Sequence, residues 1–91
     1  SNVVLVDARP QLAYQDFHLP ASVNIPIDGS MPSFRKTIQT LDPGKRIIVY
    51  CQSSGCRWAD TVASQLQFYG FSNVAVYRGG VNDWRKSDIS N

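Results

Sequence analysis

The run Arg46 to Tyr50 reads R-I-I-V-Y, β-branched and apolar after its arginine with no alternation, and it leads straight into Cys51. A strand without a polar face has to be buried on both sides, and such strands belong to parallel sheets covered by helices. The same signal recurs as V-V-L-V at Val3 to Val6, ending at Asp7, and as V-A-V-Y at Val74 to Tyr77, with a further short strand at Val23 to Ile25. Helical patterns lie between these runs. Phe34, Ile38 and Leu41 fall at i, i+4 and i+7, ahead of the stop Asp42-Pro43-Gly44. Trp58, Ala59, Val62, Ala63, Leu66 and Tyr69 trace a second stripe, which Gly70 ends as a C′ residue. Gln11 to Phe17 provides a short helical turn after Pro10, and a last helical segment surrounds Trp84. Strands alternating with helices imply right-handed crossovers, hence a three-layer α/β/α fold with a parallel sheet of about four to five strands. Ninety-one residues suffice for one such domain, residues 1–91, and not for a second.

Composition removes several function classes. Nine Lys/Arg against seven acids, all Asp, leave a net charge of +2 scattered in singles and pairs, too weak for a nucleic-acid partner. No apolar run approaches the roughly 18 residues of a membrane-spanning helix, so no membrane segment is expected. The N-terminus lacks the basic patch, apolar run and small-residue cleavage site of a secretory leader. A cytoplasmic location is therefore expected, with the periplasm as the alternative had a leader or anchor been removed. Cys51 and Cys56, with four residues between them, describe a local site and not a disulfide scaffold. His18 is the one other soft ligand and lies far off in sequence, so neither a metal nor a cofactor is expected.

Ligands of open parallel sheets bind beyond the carboxyl ends of the strands, and Cys51 is the first residue past such an end. The loop Cys51-Gln52-Ser53-Ser54-Gly55-Cys56-Arg57 is small and polar. Its backbone N–H groups can curl around an anion while the next helix directs the positive end of its dipole into the same cup. That field lowers a thiol from its reference pKa of about 8.5. Cys51 is thus the expected nucleophile, facing solvent, and Gln52, Ser53, Ser54, Gly55, Cys56 and Arg57 are the expected substrate-binding loop. The plain alternative, a small buried cysteine at a strand end, leaves the Ser-Ser-Gly loop and its closing arginine without a reason.

Cys56 has two readings of equal weight, a resolving thiol that is the redox partner of Cys51 or a small loop residue. A permanent disulfide between them is disfavoured because it would collapse the anion cup. Arg57 is read as a substrate contact ahead of a surface arginine that opens a helix. His18 is read as a structural histidine, and Asp7 with Arg9 as a bracing pair. Gly79-Gly80 is read as backbone geometry or close approach to the loop, and Trp84 as core packing.

Five motifs follow one another: D-A-R at Asp7 to Arg9, H-L-P-A-S-V-N-I-P from His18 to Pro26, I-V-Y-C at Ile48 to Cys51, G-F-S-N-V at Gly70 to Val74, and G-G-V-N-D-W at Gly79 to Trp84. Together they resemble a rhodanese-like domain over nearly the whole chain, the second being similar to that family's H-I/L-x-G-A/S-x-N-I/V-P. The strand and helix that precede D-x-R in the family are missing, which implies a domain trimmed from a longer protein and fused there to another. The resemblance implies sulfur transfer. Cys51 would attack a small sulfur-containing anion such as thiosulfate, become a persulfide, and pass the sulfur to cyanide or a thiol acceptor.

Two departures from the family pattern stand out. Single-domain relatives often carry a six-residue C-x-x-G-x-R loop, whereas Cys51 to Arg57 counts seven, and Pro20 is read as replacing the usual glycine of the His18 motif. C-x5-R is also the spacing with which phosphatases and some arsenate reductases wrap a tetrahedral oxyanion, so such an enzyme is the alternative activity. A non-catalytic redox-sensing or interaction module is the third class.

Overall fold

The apolar runs form four strands, β1 (Val3–Asp7), β2 (Val23–Asn24), β3 (Arg46–Tyr50) and β4 (Val74–Tyr77). Between and after them come four helices, α1 (Gln11–Asp16), α2 (Met31–Ile38), α3 (Trp58–Phe68) and α4 (Gly80–Ser90). The computed structural model describes residues 2–90, with side chains over 2–86. All strand pairings are parallel, in the order β2-β1-β3-β4. β1 and β3 therefore occupy the interior, each with a strand on both sides. Their register runs from Val3 opposite Arg46 to Asp7 opposite Tyr50, which brings both carboxyl ends level.

Side chains alternate across each strand and so feed two separate cores. On one face Val4, Val6, Ile47, Val49, Val74 and Val76 pack with Phe34 and Ile38 of α2 and with Ala59, Val62, Ala63 and Leu66 of α3. On the other, Leu5, Tyr50 and Tyr77 pack with Phe17, Leu19, Val81 and Trp84, so α4 supplies that layer. The three layers follow from that division. No helix among the described residues is long and apolar enough to cross a membrane.

The periodicity that carries a helix through Leu41 overruns its end. α2 stops at Ile38, and the chain continues through tighter i→i+3 turns, Thr40 N–H to Thr37 C=O at 3.0 Å and Leu41 N–H to Ile38 C=O at 3.1 Å. Leu41 still reaches the core, which is why the apolar pattern includes it. β2 is likewise shorter than the run Val23 to Ile25, yet Ile25 and Ile27 donate to the carbonyls of Asp7 and Ala8, both at 2.9 Å, and extend the tie to β1.

The turn before β2 corrects the assignment of the motif's glycine. Counting H-I/L-x-G from His18 places the glycine position at Ala21 and leaves Pro20 in the unrestricted place. The backbone agrees: Ala21 has φ 63°, the left-handed region that suits glycine. The turn is held by the buried Tyr50 hydroxyl, which accepts from the Leu19 N–H at 3.1 Å and bonds Ser22 Oγ at 3.0 Å. Burial pushes the Tyr50 phenol up to about 12 against the opposing bond from Ser22, so the ring stays neutral as it joins β3 to the turn.

An alanine in the left-handed region costs about 1–2 kcal/mol, part of which glycine's greater unfolded-state entropy offsets. Ala21→Gly is accordingly expected to raise stability by up to about 1 kcal/mol, or several degrees in Tm for a domain of this size. Thermal denaturation checks this, and a lower melting temperature than the parent's would contradict it.

Candidate active site

The carboxyl end of β1 delivers two buried charges. Asp7 is fully buried and Arg9 is 4% exposed. Arg9 donates from Nε to Asp7 Oδ1 at 3.0 Å and from Nη2 to Oδ2 at 2.7 Å, and its backbone N–H meets Oδ1 at 2.9 Å. Burial works against the Arg9 charge, but the hydrogen bond and charge of Asp7 outweigh it and leave the guanidinium more basic than usual. The remaining Arg9 donors reach outward, Nη2 to the Phe17 carbonyl and Nη1 to Gln52 Oε1 at 3.0 Å.

Gln52 then passes the connection on, donating from Nε2 to Asn82 Oδ1 at 2.7 Å. A chain of side-chain bonds thus runs from β1 through the loop after β3 to the first turn of α4. The backbone repeats the link, because Val81 N–H donates to the Cys51 carbonyl at 3.0 Å and Asn82 N–H to the Gln52 carbonyl at 2.9 Å. This contact needs Gly80. Its φ is 61°, and a Cβ there would fall on the carbonyl groups of Cys51 and Gln52. The expectation of close approach at Gly79-Gly80 is met at Gly80.

Cys51 departs from its expected pose. It is 2% exposed and packs in the core beside Val49 and Ala59, where a solvent-facing thiol was expected. The strand that carries it is interior, so its first residue past the sheet still lies under α3. Cys56 is half-buried against the same core, and the two sulfurs are joined as a disulfide with Cα atoms 6.3 Å apart. The loop is thus seen with its two cysteines joined, the contact that the redox-partner reading of Cys56 requires. The bond spans a loop that turns on itself through Cys56 N–H to Ser53 C=O at 3.1 Å, with Ser54 and Gly55 exposed.

Arg57 closes the loop at the N-cap of α3 with a side chain 77% exposed and 3.7 Å from Asp60. Asp60 is chiefly the partner of Arg78, whose Nη1 donates to it at 2.7 Å, and that bond holds its carboxyl below the usual carboxylate range. His18 stacks on Tyr14 at 3.9 Å between ring centroids, and its Nδ1 lies 2.8 Å from the Tyr14 carbonyl. That is a structural role, as expected.

Beside the loop opens a cleft of about 330 Å³ lined by Ser53, Ser54, Gly79, Asn82, Asp83 and Lys86. Asn82, Asp83 and Lys86 were missed by reasoning from sequence. Their signal is the spacing i, i+1, i+4 just inside a helix that opens at Gly79-Gly80, which puts them on one face of its first turns. Asp83 also accepts from the Tyr77 hydroxyl at 2.7 Å, and that bond pushes the Tyr77 phenol up.

The rhodanese-like domain family matches residues 1–87. The chain belongs to that family. As a rhodanese-like domain it is 38% identical to the thiosulfate:glutathione sulfurtransferase of Saccharomyces cerevisiae, over 91% of this chain and 65% of that protein. It is 30% identical to the mitochondrial thiosulfate sulfurtransferase RDL2 of the same yeast, over 89% of this chain and 59% of that one. The chain thus spans less than two thirds of these relatives. Among solved structures, the BH2092 protein of Bacillus halodurans superposes with a TM-score of 0.86 at 31% identity, covering 96% of this chain and 61% of the other.

The approach of Gly80 to the loop gives a contrast between two glycines of this rhodanese-like domain. Gly80→Ala is expected to lose at least the 1–2 kcal/mol or so of a left-handed alanine and to melt several degrees lower. Gly55→Ala, whose Cβ meets nothing within 4 Å, is expected to stay within roughly 0.5 kcal/mol of the parent. Equal melting temperatures for the two variants would contradict the clamp.

Proposed function

We propose that the chain is a sulfurtransferase whose nucleophile is Cys51. The reduced thiolate attacks the outer sulfur of thiosulfate, the sulfur–sulfur bond of the donor breaks, and sulfite leaves with the electron pair. The persulfide then gives its outer sulfur to cyanide or to a thiol such as glutathione. One observation carries the reading: Cys51 is the first residue beyond an interior parallel strand, and its loop leads into the N-terminus of the eleven-residue α3. The names of the two yeast relatives support the same chemistry. The oxyanion-hydrolase and non-catalytic alternatives are not favoured.

The chain's residues divide the work. Gln52 through Gly55 form the part of the loop whose amides hold a charged sulfur, Cys56 N–H being spent on the Ser53 carbonyl, and the Arg9–Gln52–Asn82 bonds keep that loop in place. Little holds Arg57 away from an anion in the loop, since Arg78 already satisfies Asp60. The cleft with Lys86 and Asp83 supplies both charges to a zwitterionic thiol acceptor.

A disulfide-bonded Cys51 has no thiolate, so thiocyanate formation from thiosulfate and cyanide is expected only after reduction. It should be absent in Cys51→Ala while circular dichroism matches the parent. Substantial turnover by folded Cys51→Ala would overturn the assignment. Arg57→Ala is expected to raise the KM for thiosulfate about ten- to a hundredfold, the worth of a charge-assisted contact of roughly 1.5–3 kcal/mol. Unchanged thiosulfate kinetics in that variant would return Arg57 to the surface.

A further inference from the structure

We propose that Cys56 is the resolving thiol of a second reaction, in which the domain discharges the Cys51 persulfide as hydrosulfide and closes as the Cys51–Cys56 disulfide. The proposal rests on the Cys51 persulfide described above. Its starting point is that the closed loop coexists with the whole fold: the strand register, the bonds of Arg9 to Gln52 and the α4 amides on Cys51 and Gln52 are all formed with the two sulfurs joined. Reaching this state costs no part of the sheet. The Cα separation of 6.3 Å lies inside the range that a disulfide spans.

The two ends of the loop are held differently. Cys51 is anchored through its own carbonyl and through Gln52, whereas the Cys56 N–H bonds only back to Ser53, inside the loop. Ser54 and Gly55 between them are exposed, and space around Gly55 is open. Cys56 is therefore the end that moves. It also immediately precedes the N-cap of α3, a helix whose first amides receive no side-chain cap from Arg57, so the positive end of the helix favours its thiolate. Cys56 already touches Cys51, and an intramolecular attack of this kind proceeds at high effective concentration.

The step balances within the domain. The Cys56 thiolate attacks Cys51 Sγ, the bond from Sγ to the outer sulfur breaks, and that sulfur leaves with the pair and its proton as hydrosulfide. The outer sulfur is reduced and the Cys56 sulfur is oxidised, while Cys51 Sγ keeps in the disulfide the oxidation level it had in the persulfide. A dithiol then reopens the bond by exchange and is itself oxidised to its disulfide. Over a cycle, thiosulfate and a dithiol give sulfite, hydrosulfide and the oxidised dithiol, with no cyanide or other sulfur acceptor.

The test is a single turnover under anaerobic conditions. The reduced chain, freed of reductant, is mixed with one equivalent of thiosulfate, and intact mass and trapped sulfide are measured together. The parent is expected to lose two hydrogens and release one equivalent of sulfide. Cys56→Ser and Cys56→Ala are expected to retain one added sulfur, with sulfide lowered at least about tenfold. Circular dichroism of both variants confirms that they are folded. A parent that keeps the added sulfur and releases no sulfide overturns the resolving role while leaving the persulfide intact. If neither parent nor variants gain sulfur or release sulfide, the persulfide reading fails and this inference falls with it.

Discussion

The buried pair of Asp7 and Arg9 is the constraint on which the rest of the molecule depends. An uncompensated charge in such a position costs about 3–5 kcal/mol, a large share of the 5–15 kcal/mol or so that stabilises a typical domain. The pair is tolerated because almost every lone pair and proton is used. Asn24 braces the backbone that carries it by donating from Nδ2 to the main-chain carbonyls of Asp7 and Arg9, both at 2.9 Å. Two ions at the end of one strand thereby organise β2, the segment before it and the loop after β3. The bonding geometry is that of a planar fork, which a lysine at position 9 could not reproduce.

The layers were legible because their cause is local. A strand buried on both faces must be apolar throughout, so β1, β3 and β4 announce themselves, and R-I-I-V-Y marks β3 at its observed bounds. β2 is harder to read, since two residues of ladder are continued by isolated amides of Ile25 and Ile27 that leave no periodic trace. Leu41 misleads for a related reason: packing rewards an apolar residue whether it lies on a helix or on the turn after it.

The site was legible only in part. The place of Cys51 follows from topology, but its burial does not, because spacing along a chain gives separation and not the direction in which a side chain turns. The contact between Cys51 and Cys56 was half legible, since their separation within one loop allows the two sulfurs to meet without requiring it. Ala21 shows a different failure, since a proline in a turn draws attention while the residue beside it carries the left-handed backbone. Asn82 and Lys86 lie about thirty residues beyond the loop, and only the packing of α4 brings them to it.

The α4 contact also settles which way the loop presents its polarity. In a trans peptide the C=O and the following N–H lie in one plane and point in opposite directions, and no cis peptide occurs among the described residues. With the carbonyls of Cys51 and Gln52 turned toward Val81 and Asn82, the N–H groups of Gln52 and Ser53 are turned to the opposite side. α4 thus absorbs the electronegative edge of two successive peptide planes, and the loop keeps its electropositive edge on the far side.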